Sequence, residues 1–370
     1  MHLYAPSSRG HCTPAAPTER KVVLTRHSTA TWKRAVGAAA TAAACILVPA
    51  GQALAAPATE GTSTVSEGSY IESVETVSDR EIVINVYSAS MDRTIPVEVI
   101  LPADRSEPRP VLYLLNGAGG GVDRATWKRQ TDLLEFFEDK NVNVVTPIGG
   151  AWSYYTDWQQ DDAVIGTHKW ETFLNEEMPP LVEAELNADG NRALAAISMS
   201  ATSVFNLAIH KPGFYNGVAA YSGCVQSSDP IGQQFIKTVV EVWGGAESVE
   251  NMWGPLDGPG WVENDPYVQA EKLRGTKIYM STGNGLPGIP NDTPANPRMQ
   301  NGQADLANQI VVGGVIEAAT NYCTANMARR LYELGIPAVV DFRPTGTHSW
   351  GYWQDDLHKS WPFLADALGI

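Results

Sequence analysis

The segment Leu194–Ala201, Leu-Ala-Ala-Ile-Ser-Met-Ser-Ala, constrains the fold more than any other part of the chain. A short apolar run leads into Ser198, small residues stand two positions to either side, and a helical pattern follows. This layout is typical of a nucleophile elbow, a sharp strand-to-helix turn that exposes a serine hydroxyl. The usual glycines of the motif are replaced by Ala196 and Ser200, which are small enough for strand and helix to approach closely. We therefore predict a nucleophile at Ser198.

Apolar segments of strand length alternate with helical segments along most of the chain. Strands are predicted at 70–76, 81–87, 95–101, 110–115, 142–147, 193–197, 217–221, 277–281 and 338–342, and the main helices at 170–186, 200–210, 312–334 and 353–368. This alternation indicates a mainly parallel sheet covered by helices on both faces, with an antiparallel edge from the first strands. We expect one α/β-hydrolase domain over residues 70–370, with residues 229–272 and 283–304 as irregular cap insertions.

The first 55 residues have the composition of an export signal. Lys33 and Arg34 precede an Ala-rich apolar run at 35–49, and Ala53-Leu54-Ala55 forms a cleavage signal before Ala56. The run is shorter than the roughly 20 apolar residues of a membrane span. We expect cleavage near Ala55, followed by a flexible lead-in at 56–69. An uncleaved N-terminal anchor is the alternative.

Cleavage at that position leaves a strongly acidic chain. The sequence has 26 basic and 41 acidic residues, and six of the basic and one of the acidic residues lie before residue 56, so the remainder carries a net charge of about −20. Phosphate contacts require clustered Lys and Arg, so nucleic-acid binding is not expected.

Two cysteines, Cys224 and Cys323, remain after the signal segment. An even pair in an oxidising compartment predicts a disulfide. The bridge would close a loop of about 100 residues, which on a chain-entropy estimate stabilises the fold by roughly 4–5 kcal/mol. Two separate buried thiols are the alternative.

The block Gly346-Thr347-His348-Ser349-Trp350 supplies a histidine in a loop before the last helix. A serine hydroxyl becomes nucleophilic when an imidazole removes its proton, and a carboxylate must orient that imidazole. In the chain order serine, acid, histidine, the acid lies between Ser198 and His348. The carboxylates that compete for this place are Glu317, Asp341, Asp305 and Glu333. Glu317 also suits a second role, since a negative charge stabilises the N-terminal end of a helix.

Two backbone N–H groups are needed to stabilise the tetrahedral oxyanion. The N–H of Met199, directly after the nucleophile, is the first expected donor, and the glycine-rich turn at 117–121 supplies the second, most simply at Ala118. This turn is not followed by the Gly-Lys-Ser/Thr of a phosphate loop, and an ordinary surface turn is the remaining alternative. No histidine pair has metal-ligand spacing, so neither a metal nor another cofactor is expected.

The chain resembles the antigen 85 family of mycolyltransferases. The matching blocks are Tyr113-Leu114-Leu115-Asn116-Gly117, Val145-Thr146-Pro147-Ile148-Gly149-Gly150, Lys169-Trp170-Glu171-Thr172-Phe173-Leu174, Ile197-Ser198-Met199-Ser200 and Gly346-Thr347-His348-Ser349-Trp350. They occur in the family's order from about residue 70 to the end. The resemblance implies an α/β-hydrolase with a triad of Ser198, Glu317 and His348, and oxyanion donors at Ala118 and Met199.

The resemblance also implies a substrate class. Members of the family transfer a mycolyl group from trehalose monomycolate to a second trehalose monomycolate or to arabinogalactan, and some acylate protein hydroxyls. Substrate contacts are expected from Asn116, Ser349 and Trp350, and peripheral contact with an outer lipid layer is expected. The family's sugar-binding Asp is Asn116 here, and the Arg that follows it is lost among Gly119–Gly121. A secreted carboxylesterase and a non-catalytic carbohydrate-binding or adhesion protein are the alternatives.

Overall fold

The structure is a computed structural model that describes residues 21–23, 68–299 and 301–370. The predicted cleavage site lies outside the described residues. So do the predicted lead-in, except for residues 68 and 69, and the predicted signal segment, except for residues 21–23. No helix in the described part of the chain combines the length and the apolar character needed to cross a membrane.

Within the described residues, ten strands form one sheet. They are β1 (Lys21–Val23), β2 (Tyr70–Ser78), β3 (Glu81–Ser88), β4 (Arg93–Ile100), β5 (Arg109–Leu115), β6 (Asn143–Pro147), β7 (Ala188–Ile197), β8 (Gly217–Tyr221), β9 (Lys277–Thr282) and β10 (Val339–Phe342). Their order across the sheet is β1-β10-β9-β8-β7-β5-β6-β4-β3-β2. Strands β5 to β10 run parallel, and β2, β3 and β4 form an antiparallel edge. The predicted α/β-hydrolase fold is confirmed.

The helices follow the strands in the alternation that the sequence predicts. They are α1 (Trp127–Gln130), α2 (Leu133–Phe136), α3 (Trp170–Thr172), α4 (Met178–Glu185), α5 (Ser198–His210), α6 (Pro230–Lys237), α7 (Glu250–Trp253), α8 (Pro259–Glu263), α9 (Gln303–Asn308), α10 (Gly314–Leu334) and α11 (Trp350–Leu368). Three π-helical turns, Phe173–Glu177, Thr238–Trp243 and Gln309–Gly313, and a 3-10 turn at Ala270–Leu273 complete the set.

The sheet separates two apolar cores, which the central strand β5 shows directly. Tyr113 and Leu115 point to one core, whereas Leu112 and Leu114 point to the other. All four side chains are buried, because a parallel strand at the centre of a sheet has helices on both faces. Helix α5 packs in the first core, and α11 packs in the second.

Strand β1 belongs to the segment that the sequence predicts to be removed on export. Its three residues pair antiparallel with β10 at the edge of the sheet. Cleavage near Ala55 would remove this strand and leave a nine-stranded sheet that ends at β10.

The insertion at 229–272 is more regular than predicted. It contains α6, α7, α8 and two short helical turns instead of an irregular loop. The start of α6 explains part of this: Asp229 accepts hydrogen bonds from the N–H groups of Ile231 and Gly232, and Pro230 occupies the first helical position. These are standard helix-starting features in a segment whose Gly and Pro content suggested a loop.

The predicted disulfide between Cys224 and Cys323 is formed, with an S–S distance of 2.11 Å. It joins the loop that follows β8 to helix α10 across a sequence separation of 99 residues. Disulfides of this kind are typical of proteins that fold in oxidising compartments.

Candidate active site

Ser198 lies at the junction of β7 and α5, as the elbow motif predicts. Its backbone has a φ of 55°, in the left-handed region that non-glycine residues rarely adopt. The hydroxyl of Ser200 donates a hydrogen bond to the carbonyl oxygen of Asn116. The serine that replaces a glycine of the motif therefore ties α5 to the turn after β5.

His348 joins Ser198 to Glu317. Its Nε2 lies 2.8 Å from the Oγ of Ser198, and its Nδ1 lies 2.9 Å from Oε2 of Glu317. The backbone N–H of His348 donates to the carbonyl of Gly313, 3.1 Å away, and the ring of Trp353 packs edge-on at a centroid distance of 4.9 Å. The imidazole is thus held by its backbone, by a ring contact and by a carboxylate.

Of the four carboxylates that the sequence offers for the role of the acid, Glu317 is the one that contacts His348. It lies in the first turn of α10, and its side chain is fully buried. Its Oε1 accepts from the backbone N–H of Gly283 at 2.5 Å and from the guanidinium of Arg343 at 2.7 Å. Burial alone would raise the pKa of this carboxyl, but its bonds to His348, Arg343 and Gly283 outweigh burial and lower it. The carboxylate is therefore charged and faces the imidazole.

Ser222, at the end of β8, supports the acid and was not found from the sequence. Its Oγ donates to Oε1 of Glu317 at 2.8 Å and accepts from the indole N–H of Trp353 at 3.0 Å. Ser222 also has a φ of 55°. A positive φ at a non-glycine residue marks a constrained turn, but no sequence motif announces it.

The expected oxyanion donors lie on two segments that approach each other. A Cβ placed on Gly117 would be 3.8 Å from the Cβ of Ser198, so the turn after β5 passes directly beside the nucleophile. Within the described residues, neither the N–H of Ala118 nor that of Met199 donates to a protein acceptor. Both groups are free to donate to an oxyanion formed at Ser198.

An apolar cavity of about 420 Å³ opens at Ser198. Its walls come from α6 and the π-helical turn after it on one side, and from the start of α10 on the other. The apolar side chains that line it include Phe235, Val239, Trp243, Val311, Val315 and Ala319. A cavity of this lining suits an acyl chain, because burying methylene groups is favourable.

A second cavity, of about 330 Å³, lies on the other side of His348 and is more polar. Ser349 and Trp350 line it, which places two of the three predicted substrate-binding residues beside the histidine. The polar side chains that line it are Gln130, Arg298, Asp305, Asn308 and Gln309. Arg298 comes from the insertion at 283–304, and the sequence did not single it out.

Asn116 is placed differently from the prediction. Its side chain is fully buried, its Oδ1 accepts from the backbone N–H of Trp127 at 3.0 Å, and it lines neither cavity. The amide therefore organises the start of α1 instead of offering an exposed atom to a substrate. The physical reason is that Asn116 directly follows β5 and packs against the start of α1, where the indole N–H of Trp127 also donates to the carbonyl of Leu115 at 2.9 Å.

The other histidines in the described part of the chain lie away from Ser198. His168 is buried, and burial lowers its pKa to about 4. His210 pairs with Glu171 at 2.8 Å, and His358 pairs with Asp132 at 3.0 Å. Over residues 21–23, 68–299 and 301–370, no group of three or more His, Cys, Asp or Glu side chains has a metal-binding arrangement.

Comparison with known sequences identifies close relatives of the chain. Residues 88–364 match the family described as "Putative esterase". The diacylglycerol acyltransferase/mycolyltransferase Ag85A of Mycobacterium tuberculosis is 33% identical over 292 residues, covering 77% of this chain and 81% of the relative. The Ag85B protein of Mycobacterium avium is 31% identical over 293 residues, covering 77% of this chain and 83% of the relative.

Comparison with solved structures supports the fold. MPT51 of Mycobacterium tuberculosis superposes with a TM-score of 0.62 at 23% identity, covering 76% of this chain and 96% of that chain. The fluorophosphonate-binding serine hydrolase F of Staphylococcus aureus superposes with a TM-score of 0.56 at 16% identity, covering 77% of this chain and 97% of that chain.

Proposed function

The chain belongs to the antigen 85 family of acyltransferases, and on that premise we propose that it transfers a mycolyl group from trehalose monomycolate to an acceptor hydroxyl. The acceptor is a second trehalose monomycolate, arabinogalactan or a protein. The reaction passes through an ester on Ser198, with His348 as base and Glu317 as the acid that orients it. The protein acts after export and removal of residues 1–55.

One observation carries this proposal. The hydrogen-bonded series Ser198, His348 and Glu317 stands where an apolar cavity meets a polar one. The apolar cavity takes the part of the acyl chain next to the ester, and the polar cavity takes the sugar. An ester bond between a lipid and a sugar then lies at Ser198, which is the bond that the reaction breaks and remakes.

The first step forms the acyl-enzyme. His348 Nε2 removes the proton of Ser198, and Oγ attacks the ester carbonyl while the oxyanion accepts from the N–H groups of Ala118 and Met199. The buried charge of Glu317 stabilises the imidazolium. Collapse of the intermediate breaks the bond to trehalose, and His348 gives its proton to the departing sugar oxygen.

The second step repeats the first with a new hydroxyl. The acceptor enters the polar cavity, His348 takes its proton, and its oxygen attacks the acyl carbon. Collapse of the second tetrahedral intermediate breaks the bond to Oγ of Ser198, and His348 returns the proton to this oxygen, which completes the transfer. Water competes at this stage, so transfer dominates only when the acceptor fills the polar cavity and displaces water.

Product analysis tests the proposal. Purified protein starting at Ala56 is incubated with trehalose monomycolate, and the lipids are separated with and without added acceptor. We expect trehalose dimycolate, or a mycolylated polysaccharide or protein when that acceptor is supplied. The Ser198→Ala variant, which keeps the fold but lacks the nucleophile, serves as the control and should give no product.

Hydrolysis is the second outcome that the family match allows, since its members are described as esterases. If free mycolic acid is the product with every acceptor, and Ser198→Ala does not form it, the protein is a carboxylesterase that uses the same triad and not a transferase. No turnover by the wild-type protein with any donor would contradict both activities and favour a binding protein.

A further inference from the structure

Glu317 makes a second ion pair on the side away from His348. Arg343 directly follows β10, and its Nη2 lies 2.7 Å from Oε1 of Glu317. The other oxygen, Oε2, meets Nδ1 of His348 at 2.9 Å. Both ionic side chains are buried, with 5% of Arg343 and 0% of Glu317 exposed. A guanidinium therefore holds the carboxylate oxygen that the imidazole leaves free.

The same guanidinium is bound to another buried carboxylate. Its Nη1 pairs with Oδ2 of Asp356, in the second turn of α11, whose side chain is fully buried. The ring of Tyr352 lies 5.2 Å from its Cζ, and the backbone N–H of Arg343 donates to the carbonyl of Thr282 at 2.9 Å. Arg343 thus bridges α10 and α11 beneath the triad and is fixed at both ends.

The charges of this cluster explain why two carboxylates accompany one guanidinium. A lone cation beside Glu317 would disfavour formation of the imidazolium of His348, because like charges repel each other. Asp356 supplies the compensating negative charge. With His348 neutral, the cluster of Glu317, Arg343 and Asp356 carries one negative charge, and formation of the imidazolium brings the total to zero.

We propose that Arg343 and Asp356 form a charge-balanced positioning pair for Glu317. Arg343 fixes Oε1 so that Oε2 faces the imidazole, and Asp356 balances the guanidinium charge so that the imidazolium forms beside a cluster without excess positive charge. The pair acts through Glu317 and touches no substrate. The role rests on the proposed function, since it concerns the proton that His348 takes from Ser198.

The ionisation of the three groups is consistent with this role. Burial would lower the pKa of Arg343, but the charges of Asp356 and Glu317 outweigh burial and raise it. Burial raises the pKa of Asp356, and the guanidinium opposes that shift. The other donors to Oε1, which come from Ser222, Thr282 and Gly283, are uncharged.

The other titratable and charged groups around the imidazole are not changed in the variants that test the proposal. Asp292 accepts from Thr347 and Tyr352 on one side of His348. The other groups are Arg298 and Asp305, which line the polar cavity, and Tyr154, which lines the apolar cavity. Asp341 in β10 also belongs to this set, because its negative charge raises the pKa of Arg343.

Two single substitutions should move the pH profile in opposite directions. Arg343→Met removes a positive charge and leaves Asp356 unpaired, so the imidazolium is favoured and the acidic limb of kcat/KM moves to higher pH. Asp356→Asn leaves the guanidinium uncompensated, so the limb moves to lower pH. Each shift should be about half a pH unit. This is less than the one unit or more produced by a charge within about 4–6 Å, because Glu317 lies between the pair and the imidazole.

The double variant separates charge from position. In Arg343→Met with Asp356→Asn, both charges are gone, so the limb should return close to that of the wild type. The value of kcat should stay about tenfold low, because the bond that fixes Oε1 is lost. If Arg343→Met does not fold, as judged by near-UV circular dichroism, Asp356→Asn and the double variant decide the question.

The matched control is Arg192→Met. Arg192 forms an ion pair with Glu183, at 2.5 Å, near the start of β7 and away from Ser198. Its loss should lower the melting temperature without moving the acidic limb. If the acidic limb of Arg192→Met moves as far as that of Arg343→Met, the proposal is overturned, because a general loss of stability would then explain the shift in both variants.

The assay uses p-nitrophenyl butyrate, which acylates the serine without the natural donor or acceptor. A wild-type protein with no nitrophenolate release and no labelling by a fluorophosphonate would contradict the proposed function itself. An active wild type whose single variants keep its pH profile and kcat would contradict only the positioning pair. Shifts of both variants in the same direction would also overturn it.

Discussion

The charge on Glu317 is what its proposed catalytic role requires, since the size and burial of the side chain alone would not stabilise an imidazolium. Glu317→Gln preserves the shape but lets the amide select the wrong tautomer of His348. We expect kcat for ester hydrolysis to fall by about 10⁴-fold, as in other triads that lose their acid. Glu333→Gln, an exposed position on the same helix α10, is the matched control and should leave kcat unchanged. A loss below tenfold in Glu317→Gln would assign the acid role to another group.

His168 predicts a pH dependence of stability that has no connection with catalysis. Its side chain is only 4% exposed, and burial lowers its pKa from 6.5 to about 4. The unfolded chain therefore binds a proton between these values that the folded chain does not, so stability falls as the pH drops from 6.5 towards 4. This effect reaches at most about 3 kcal/mol, at 1.36 kcal/mol per pKa unit.

Urea unfolding at pH 7 and pH 5 measures this dependence. His168→Gln, which does not titrate, should lose less stability than the wild type between the two values. His210→Gln is the comparison variant, since Glu171 raises the pKa of His210 against the opposing effect of burial. A raised pKa stabilises the fold at low pH, so this variant should become more sensitive to acid. Equal slopes in all three proteins would contradict the assignment.

At the level of elements, the disulfide is the main covalent constraint on the site. It joins α10, which carries Glu317, to the loop two residues after Ser222. The variant Cys224→Ser with Cys323→Ser should lose roughly 4–5 kcal/mol of unfolding free energy on a chain-entropy basis. We also expect a lower kcat, because the hydrogen bond from Ser222 to Glu317 depends on the same junction. Thermal unfolding and ester hydrolysis measure the two effects separately.

Local elements were predictable from the sequence, whereas junctions between distant segments were not. The elbow and the loop of His348 are short motifs whose chemistry is contained in five or six residues. The acid was ambiguous because nothing local distinguishes Glu317 from Asp341 or Glu333. The resemblance resolved that choice, and the structure places Glu317 against the imidazole.

Three features of the site arise only from tertiary folding. Asn116 follows a predicted strand in a matching block, yet the turn folds inward and buries it. Arg343 and Asp356 lie on either side of the His348 block, 13 residues apart, and no motif marks either of them. They meet because the chain turns back after β10 and α11 packs against β8 and β9. Arg298 reaches the polar cavity from the insertion at 283–304, whose sequence has no helix or strand periodicity from which its path could be predicted.

At the scale of the whole molecule, the proposed function assigns the lipid and the sugar of the substrate to two different cavities. They share His348, Val312 and Ile316, so the two cavities meet beside His348, where the proposed reaction places the ester bond. The sheet explains this arrangement, because the loops after its parallel strands converge at one edge, where ligands bind in open α/β folds. Chain-length preference should therefore be set by the apolar cavity, and acceptor choice by the polar one.

Filling the apolar cavity tests this division. Ala319 lines the cavity from α10, and Ala319→Trp should block the deeper part of it. Each methylene that loses its burial costs about 0.8 kcal/mol, so excluding two of them lowers kcat/KM about tenfold or more. We expect that loss for p-nitrophenyl palmitate and little change for p-nitrophenyl butyrate, whose chain ends before the added ring.

The neighbouring residue supplies the control for bulk alone. Ala318 is exposed on the same helix and does not line the cavity, so Ala318→Trp should affect neither ester. Equal losses with both esters in Ala319→Trp would mean that the triad was disturbed. An unchanged profile would place the acyl chain elsewhere, and the polar cavity beside Trp350 would then have to hold it. Because that cavity carries Arg298 and Asp305, such a result would conflict with the separation of lipid and sugar that the lining of the two cavities supports.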